Sequence, residues 1–137
     1  MKRLVALLEC IPHDLLALVA RVATFVVVWR SGQVKLDDWS ATLGLFQDEY
    51  RLPLLPPQLA AYLAAGLELG GSVLVLLGLG TRIVALAFLG MVATIQLLVY
   101  PQAWPTHVQW LAFLLFLVAR GPGRLSLDAA LLRWRRT

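Results

Sequence analysis

Four stretches of the chain, about 14–31, 57–79, 82–100 and 105–120, are nearly free of polar residues and are bounded by proline, glycine and charge. Crossing about 30 Å of hydrocarbon takes about 20 helical residues, so this pattern predicts four membrane helices, the last being the shortest. The first opens after Pro12 and is expected to leave the bilayer at Trp29-Arg30-Ser31-Gly32. Pro56-Pro57 suits the start of the second, which Gly78-Leu79-Gly80 ends. Thr81 is the expected cap of the third helix, and Pro101 stops it. Pro105 or Thr106 starts the fourth, and Gly121-Pro122-Gly123 closes it.

Between the first two spans the pattern changes. Trp39, Leu43, Phe46 and Tyr50 recur at helical spacing, with Asp37, Asp38, Asp48 and Glu49 off that face. This predicts a short amphipathic helix lying as a lid on the outer mouth of the bundle, after which Pro53, Pro56 and Pro57 turn the chain back. Near the end, Ser126 is placed to cap a helix with Leu127, Ala130, Leu131 and Trp134 on one face. Arg133, Arg135 and Arg136 stand near it to meet anionic headgroups. The fold class is therefore all-α: an integral membrane four-helix bundle with an amphipathic outer helix and an amphipathic tail, forming one domain over 1–137.

Composition agrees with lipid as the solvent. The chain is 60% apolar and 15% charged, with a mean hydropathy of +0.77, well beyond ordinary globular usage. The net charge of +4 is therefore read as membrane topology, and no nucleic-acid partner is expected. Lys2, Arg3, Arg82, Arg120, Arg124, Arg133, Arg135 and Arg136 would lie on one side, and only Arg30, Lys35 and Arg51 on the other. That balance predicts cytoplasmic termini in a bacterial inner membrane, with 32–56 facing outward. The opening Met1-Lys2-Arg3-Leu4-Val5-Ala6-Leu7-Leu8 is signal-like, but Glu9 interrupts it and no cleavage site follows, so cleavage is not expected. Cys10 is the single cysteine, which excludes dithiol chemistry and a cysteine-built zinc site.

Two charges then stand out, Arg21 in the first span and Glu68 in the second. An ion near the bilayer centre costs about 2.5–3.5 kcal/mol even on lenient scales, so each must face inward and find a partner. Equal depth predicts that they pair, either as a structural salt bridge or as a site for a proton, a small anion or a quinone. Ala61, Ala64, Ala65, Gly71 and Ser72 around Glu68 permit close helix approach. Gly66 and Gly70 form a GxxxG pair on roughly the opposite face, for packing within the bundle or for a homodimer. Lys35, Trp39, His107 and Trp110 are accessory candidates at the outer end. Lys35 is read as a solvated loop charge able to attract anions, and His107 as an interfacial, hydrogen-bonded residue. His13 and His107 lie a membrane thickness apart, so no metal site is assigned.

The chain resembles the DoxX family of small four-helix membrane proteins. The resemblance rests on Arg21 with Phe25, then Gly32-Gln33-Val34-Lys35, Trp39, Phe46, Pro53 and Glu68. It continues through Gly78-Leu79-Gly80-Thr81-Arg82 and Gly121-Pro122-Gly123-Arg124-Leu125-Ser126-Leu127-Asp128. It implies an inner-membrane protein tied to redox or sulfur chemistry, at most an accessory subunit of an oxidoreductase complex, with a quinone as the possible cofactor. Relatives are described as subunits of thiosulfate:quinone oxidoreductase or of oxidative-stress complexes. The lone cysteine and the absence of a histidine pair depart from comparable thiol oxidases and haem bundles, so electrons would have to pass through a bound quinone or a partner's cofactor. Tyr100-Pro101, Trp104, His107 and Trp110 also resemble a DoxX subgroup linked to metal handling, copper included. The remaining alternative is a non-catalytic scaffold that recruits a soluble protein.

Overall fold

Proline and glycine fix most helix ends, through a missing N–H in one case and access to positive φ in the other. The computed structural model describes residues 10–135; the opening run read as an uncleaved leader-like segment lies outside them. Helix α1 begins after Pro12 and covers His13–Asp37. Helix α2 begins at Trp39–Gly44 and widens into a π-helical turn, Leu45–Tyr50. Helix α3, Pro57–Leu77, carries a second π turn at Leu67–Gly71. Helix α4, Thr81–Val99, ends in a third at Ile95–Val99. A 3₁₀ turn, Pro101–Ala103, leads into α5, Trp104–Arg120, and α6 is Leu127–Trp134.

The break expected at Trp29–Gly32 does not occur, and α1 continues to Asp37. Gly32 is buried inside it because α3 crosses there. A Cβ on Gly32 would stand 2.8 Å from Leu69 and 3.2 Å from the Glu68 Cβ. In sequence, a glycine that permits close approach looks like one that ends a helix. The stop is instead supplied by Asp38, whose extended backbone ends α1 and whose carboxylate caps α2. It accepts from the Ala41 N–H at 2.9 Å and from the Ser40 hydroxyl at 2.8 Å.

Helices α1, α3 and α4 are each long and apolar enough to cross a membrane. The fourth member, α5, has 17 residues and rises about 25 Å; it packs on α4 and α1. Val28, Val75, Phe88, Leu114 and Leu117 form the core between them. Val19, Val26, Ile83 and Leu97 point outward, as expected of a multi-pass protein whose surrounding solvent is lipid. Phe46 of α2 is buried on Ala60 and Ala61 of α3, with Trp39, Leu43 and Tyr50 beside it, so the amphipathic face lies where its spacing placed it.

Ser126 caps α6 through the Ala129 N–H. Thr81 does not cap α4. The cap is distant: the Asp128 carboxylate accepts from the Gly80 N–H at 2.8 Å and the Thr81 N–H at 3.2 Å. Gly66 and Gly70 do not pack within the bundle either, since a Cβ on either meets nothing within 4 Å.

Candidate ligand cavity

Arg21 lies on the inward face of α1, 3% exposed, but its partners are carbonyls. Nε donates to Val75 O at 2.9 Å, and one terminal nitrogen donates to Leu125 O at 2.6 Å and Pro122 O at 3.3 Å. The other terminal nitrogen donates to Leu76 O. The planar fork matches this spread of acceptors. The negative end of α3's dipole, whose last carbonyls need donors, offsets the guanidinium charge. Arg21 thus ties the end of α3 to the 121–126 loop.

Glu68 meets a different cation. The Lys35 ammonium donates to Oε1 at 2.9 Å and lies 2.8 Å from Oε2. The second approach is a charge contact without hydrogen-bond alignment, so Oε2 has no hydrogen-bond partner. Ser31 Oγ donates to Oε1 at 3.1 Å, and Lys35 Nζ also reaches Ser31 Oγ at 3.1 Å. The expected Arg21–Glu68 pair is therefore not formed. Helices α1 and α3 run antiparallel, with Glu68 level with Ser31–Lys35 and Arg21 level with Val75–Leu76. The two charges sit about ten residues apart along α1, or roughly 15 Å at 1.5 Å per residue. Extending α1 to Asp37 places Arg21 only about 6 Å below the middle of the helix; the rest of the offset is the axial register of α3, whose middle lies level with Ser31–Lys35.

The Lys35–Glu68 pair stands in the wall of a cavity of about 440 Å³, within the range of about 300–1,000 Å³ usual for small-molecule sites. Most of the lining is apolar, including Val28, Phe88, Met91 and Leu114. Phe46 and Tyr50 of α2 help roof it. All three π turns contribute to it: Phe46 and Tyr50 from the first, Leu67 and Glu68 from the second, Ile95 and Val99 from the third. A π turn inserts one residue and re-aims the side chains near it, a device common at functional sites.

His107 and Trp110 line the cavity from α5. The Gln96 amide donates to Pro101 O at 2.8 Å, which turns its oxygen toward His107 Nδ1 at 2.7 Å. A neutral His107 must then carry its proton on Nδ1 and keep Nε2 as an acceptor. Trp39 is not part of the lining; it packs on Tyr62, ring centroids 4.8 Å apart. A second hollow of about 310 Å³, lined by Arg30, Thr42 and Leu45, shares Ser31, Lys35, Phe46 and Tyr50 with the first. The ion pair thus stands between an apolar chamber and a lid-side hollow. Among the described residues, no three His, Cys, Asp or Glu side chains converge as a metal set.

Of the accessory candidates, Lys35 is helical, partly buried and paired, where a solvated loop charge was expected. Ser31 and Gln96 were missed. Ser31 lies one turn before Lys35 and becomes visible once α1 is extended past Gly32. Gln96 is the lone amide in the third apolar stretch, itself a sequence signal.

A family model described as DoxX matches residues 16–101, which takes in α1 through α4 and the lid between them. Neither the curated proteins nor the solved structures compared with the chain gave a match.

Proposed function

The chain belongs to the DoxX family of membrane proteins, and from that premise we propose that it is a redox-associated membrane subunit binding a quinone in the cavity beneath α2. The observation that carries this is the Lys35–Glu68 pair, its carboxylate buried and its ammonium partly so, opening onto an otherwise apolar chamber. A quinone pairs a flat apolar body with carbonyl acceptors. Lys35 Nζ offers a donor to such a carbonyl, and the aromatic and aliphatic walls suit the ring. When bound, a quinone supplies two-electron, two-proton chemistry. The residues of this chain would hold it, keep water from its ring, and carry protons at Glu68 and His107. Electrons would come from a partner subunit.

The same geometry disfavours a small anion as the occupant. Lys35 is already neutralised by Glu68, and Arg21, which could have drawn an oxyanion, is occupied by carbonyls elsewhere. The Lys and Arg balance supports an orientation in which α2 faces outward from a bacterial inner membrane. Thermal unfolding of the purified protein in lipid nanodiscs tests the reading. Short-tailed ubiquinone should raise the melting temperature and thiosulfate should not, and Lys35→Met should abolish the rise. Stabilisation by thiosulfate alone, or a Lys35→Met protein that responds as the wild type does, would refute it.

A further inference from the structure

Helices α3 and α4 leave their shared turn in close contact, Gly71 fitting against Val84 and Phe88. Farther from the turn, their facing residues line the cavity: Ala60, Leu63, Ala64 and Leu67 on one side, Ala87, Met91, Val92 and Ile95 on the other. Helix α1 packs against α3 and α5, and α5 against α4. The remaining side of the bundle is therefore the one between α3 and α4.

Exposure locates the opening on that side. Among the lining residues, Leu63 is 55% exposed, Ala87 is also exposed, and Leu55 marks the upper rim. Leu63 lies about 9 Å along α3 from Pro57, and Ala87 about 18 Å along α4 from Val99. Both belong to spanning segments, so this mouth stands at the level of the acyl chains. On the lid side, contacts of α2 with α3 and with the end of α4 close the cavity, leaving there the smaller hollow beside Arg30 and Thr42. The Tyr100 hydroxyl donates to Glu49, Tyr50 meets the Tyr100 ring edge-on with centroids 5.8 Å apart, and Phe46 is buried against α3.

From these observations we propose that the cavity is loaded sideways from the bilayer, through a slot between α3 and α4 rimmed by Leu63 and Ala87, so that its occupant is a lipid-soluble molecule with a polar head. The apolar part remains in or near the slot, while the head lies against Lys35 and Glu68. This deepens the reading of the cavity as a binding site and rests on it, but it fixes the class of occupant and its route independently of any quinone.

Trp110 provides the reporter, because it lines the cavity from α5. Trp29→Phe, Trp39→Phe, Trp104→Phe and Trp134→Phe together leave it as the single tryptophan. Reconstituted in phosphatidylcholine brominated on its acyl chains, this protein should lose most of its emission, whereas aqueous iodide should have little effect. Ala87→Leu and Ala87→Phe, which fill the slot from an exposed position, should restore emission stepwise. Quenching by iodide in place of brominated chains would overturn the proposal. So would bromine quenching that both Ala87 variants leave unchanged, because Trp110 would then be reached from the outer face of α5. A protein that admits acyl chains yet ignores ubiquinone would keep the slot and lose the quinone reading.

Discussion

The Lys35 ammonium and the Glu68 carboxylate join α1 to α3 at 2.8 Å, where Gly32 lets the two helices touch. Glu68 is 3% exposed. Removing one member of a buried pair leaves an uncompensated charge and costs about 3–5 kcal/mol, whereas replacing both with apolar residues is often nearly neutral. Lys35→Met alone should lower the melting temperature sharply, and Lys35→Met with Glu68→Leu should recover most of the loss. A double-mutant cycle measures the coupling, and simple additivity of the two changes would show that the pair is not energetically joined.

Arg21 predicts a different behaviour. Its fork reaches carbonyls on α3 and on the 121–126 loop, and an ammonium on a flexible stem cannot reproduce that fork. Arg21→Lys should speed amide exchange at Gly78 and Leu79, whose N–H groups close the end of α3. Quinone affinity of the folded protein should stay unchanged, because Arg21 does not line the cavity. Lost affinity with unaltered exchange would reverse the assignment.

Much of the fold is legible in residues with a single physical meaning. Pro57 and Pro105 sit in first turns, Gly78 takes a left-handed conformation at the end of α3, and the Trp39–Leu43–Phe46–Tyr50 spacing finds its α3 surface. Residues with two meanings misled. Gly32 looked like an end and is a contact, which shortened α1 and supplied part of the false common depth of Arg21 and Glu68; the larger part is how far α3 is displaced along α1. Thr81 looked like a cap, while the group that caps α4 is Asp128, 47 residues away. Hydrophobic periodicity reports which face is apolar, but not the axial register between two helices. Nor did it contain the π turns at Leu45–Tyr50, Leu67–Gly71 and Ile95–Val99.

Gly78 has φ 73°, and a Cβ there would collide with the Ser126 side chain and approach the Arg21 guanidinium at 3.0 Å. Left-handed backbone costs an L residue roughly 1–2 kcal/mol before any collision. Gly78→Ala should therefore destabilise the protein by more than that strain, read as a lower melting temperature, and should loosen the 121–126 loop. A neutral substitution would mean that the loop does not seat on this turn.

Asp38 gives the lid a pH dependence of definite sign. The Ala41 N–H first, then the Ser40 hydroxyl, hold its carboxyl below the ordinary 3.8. A depressed folded value means that the contribution to stability is complete above the unfolded value and is lost as pH falls through the folded one. Acidification below about 3.8 should therefore fray the start of α2, visible in Trp39 fluorescence. Asp38→Asn, which can cap without titrating, should flatten that response. An Asn variant that titrates as the wild type does would place the transition elsewhere.

The most direct test of the cavity as the binding site is photolabelling in nanodiscs with an azido-substituted quinone, followed by peptide mapping. Label should fall on residues 27–35, 60–68 and 107–114, and excess unlabelled quinone should compete it away. Label confined to the outer faces of the helices or to the 121–126 loop beside Arg21 would contradict the account.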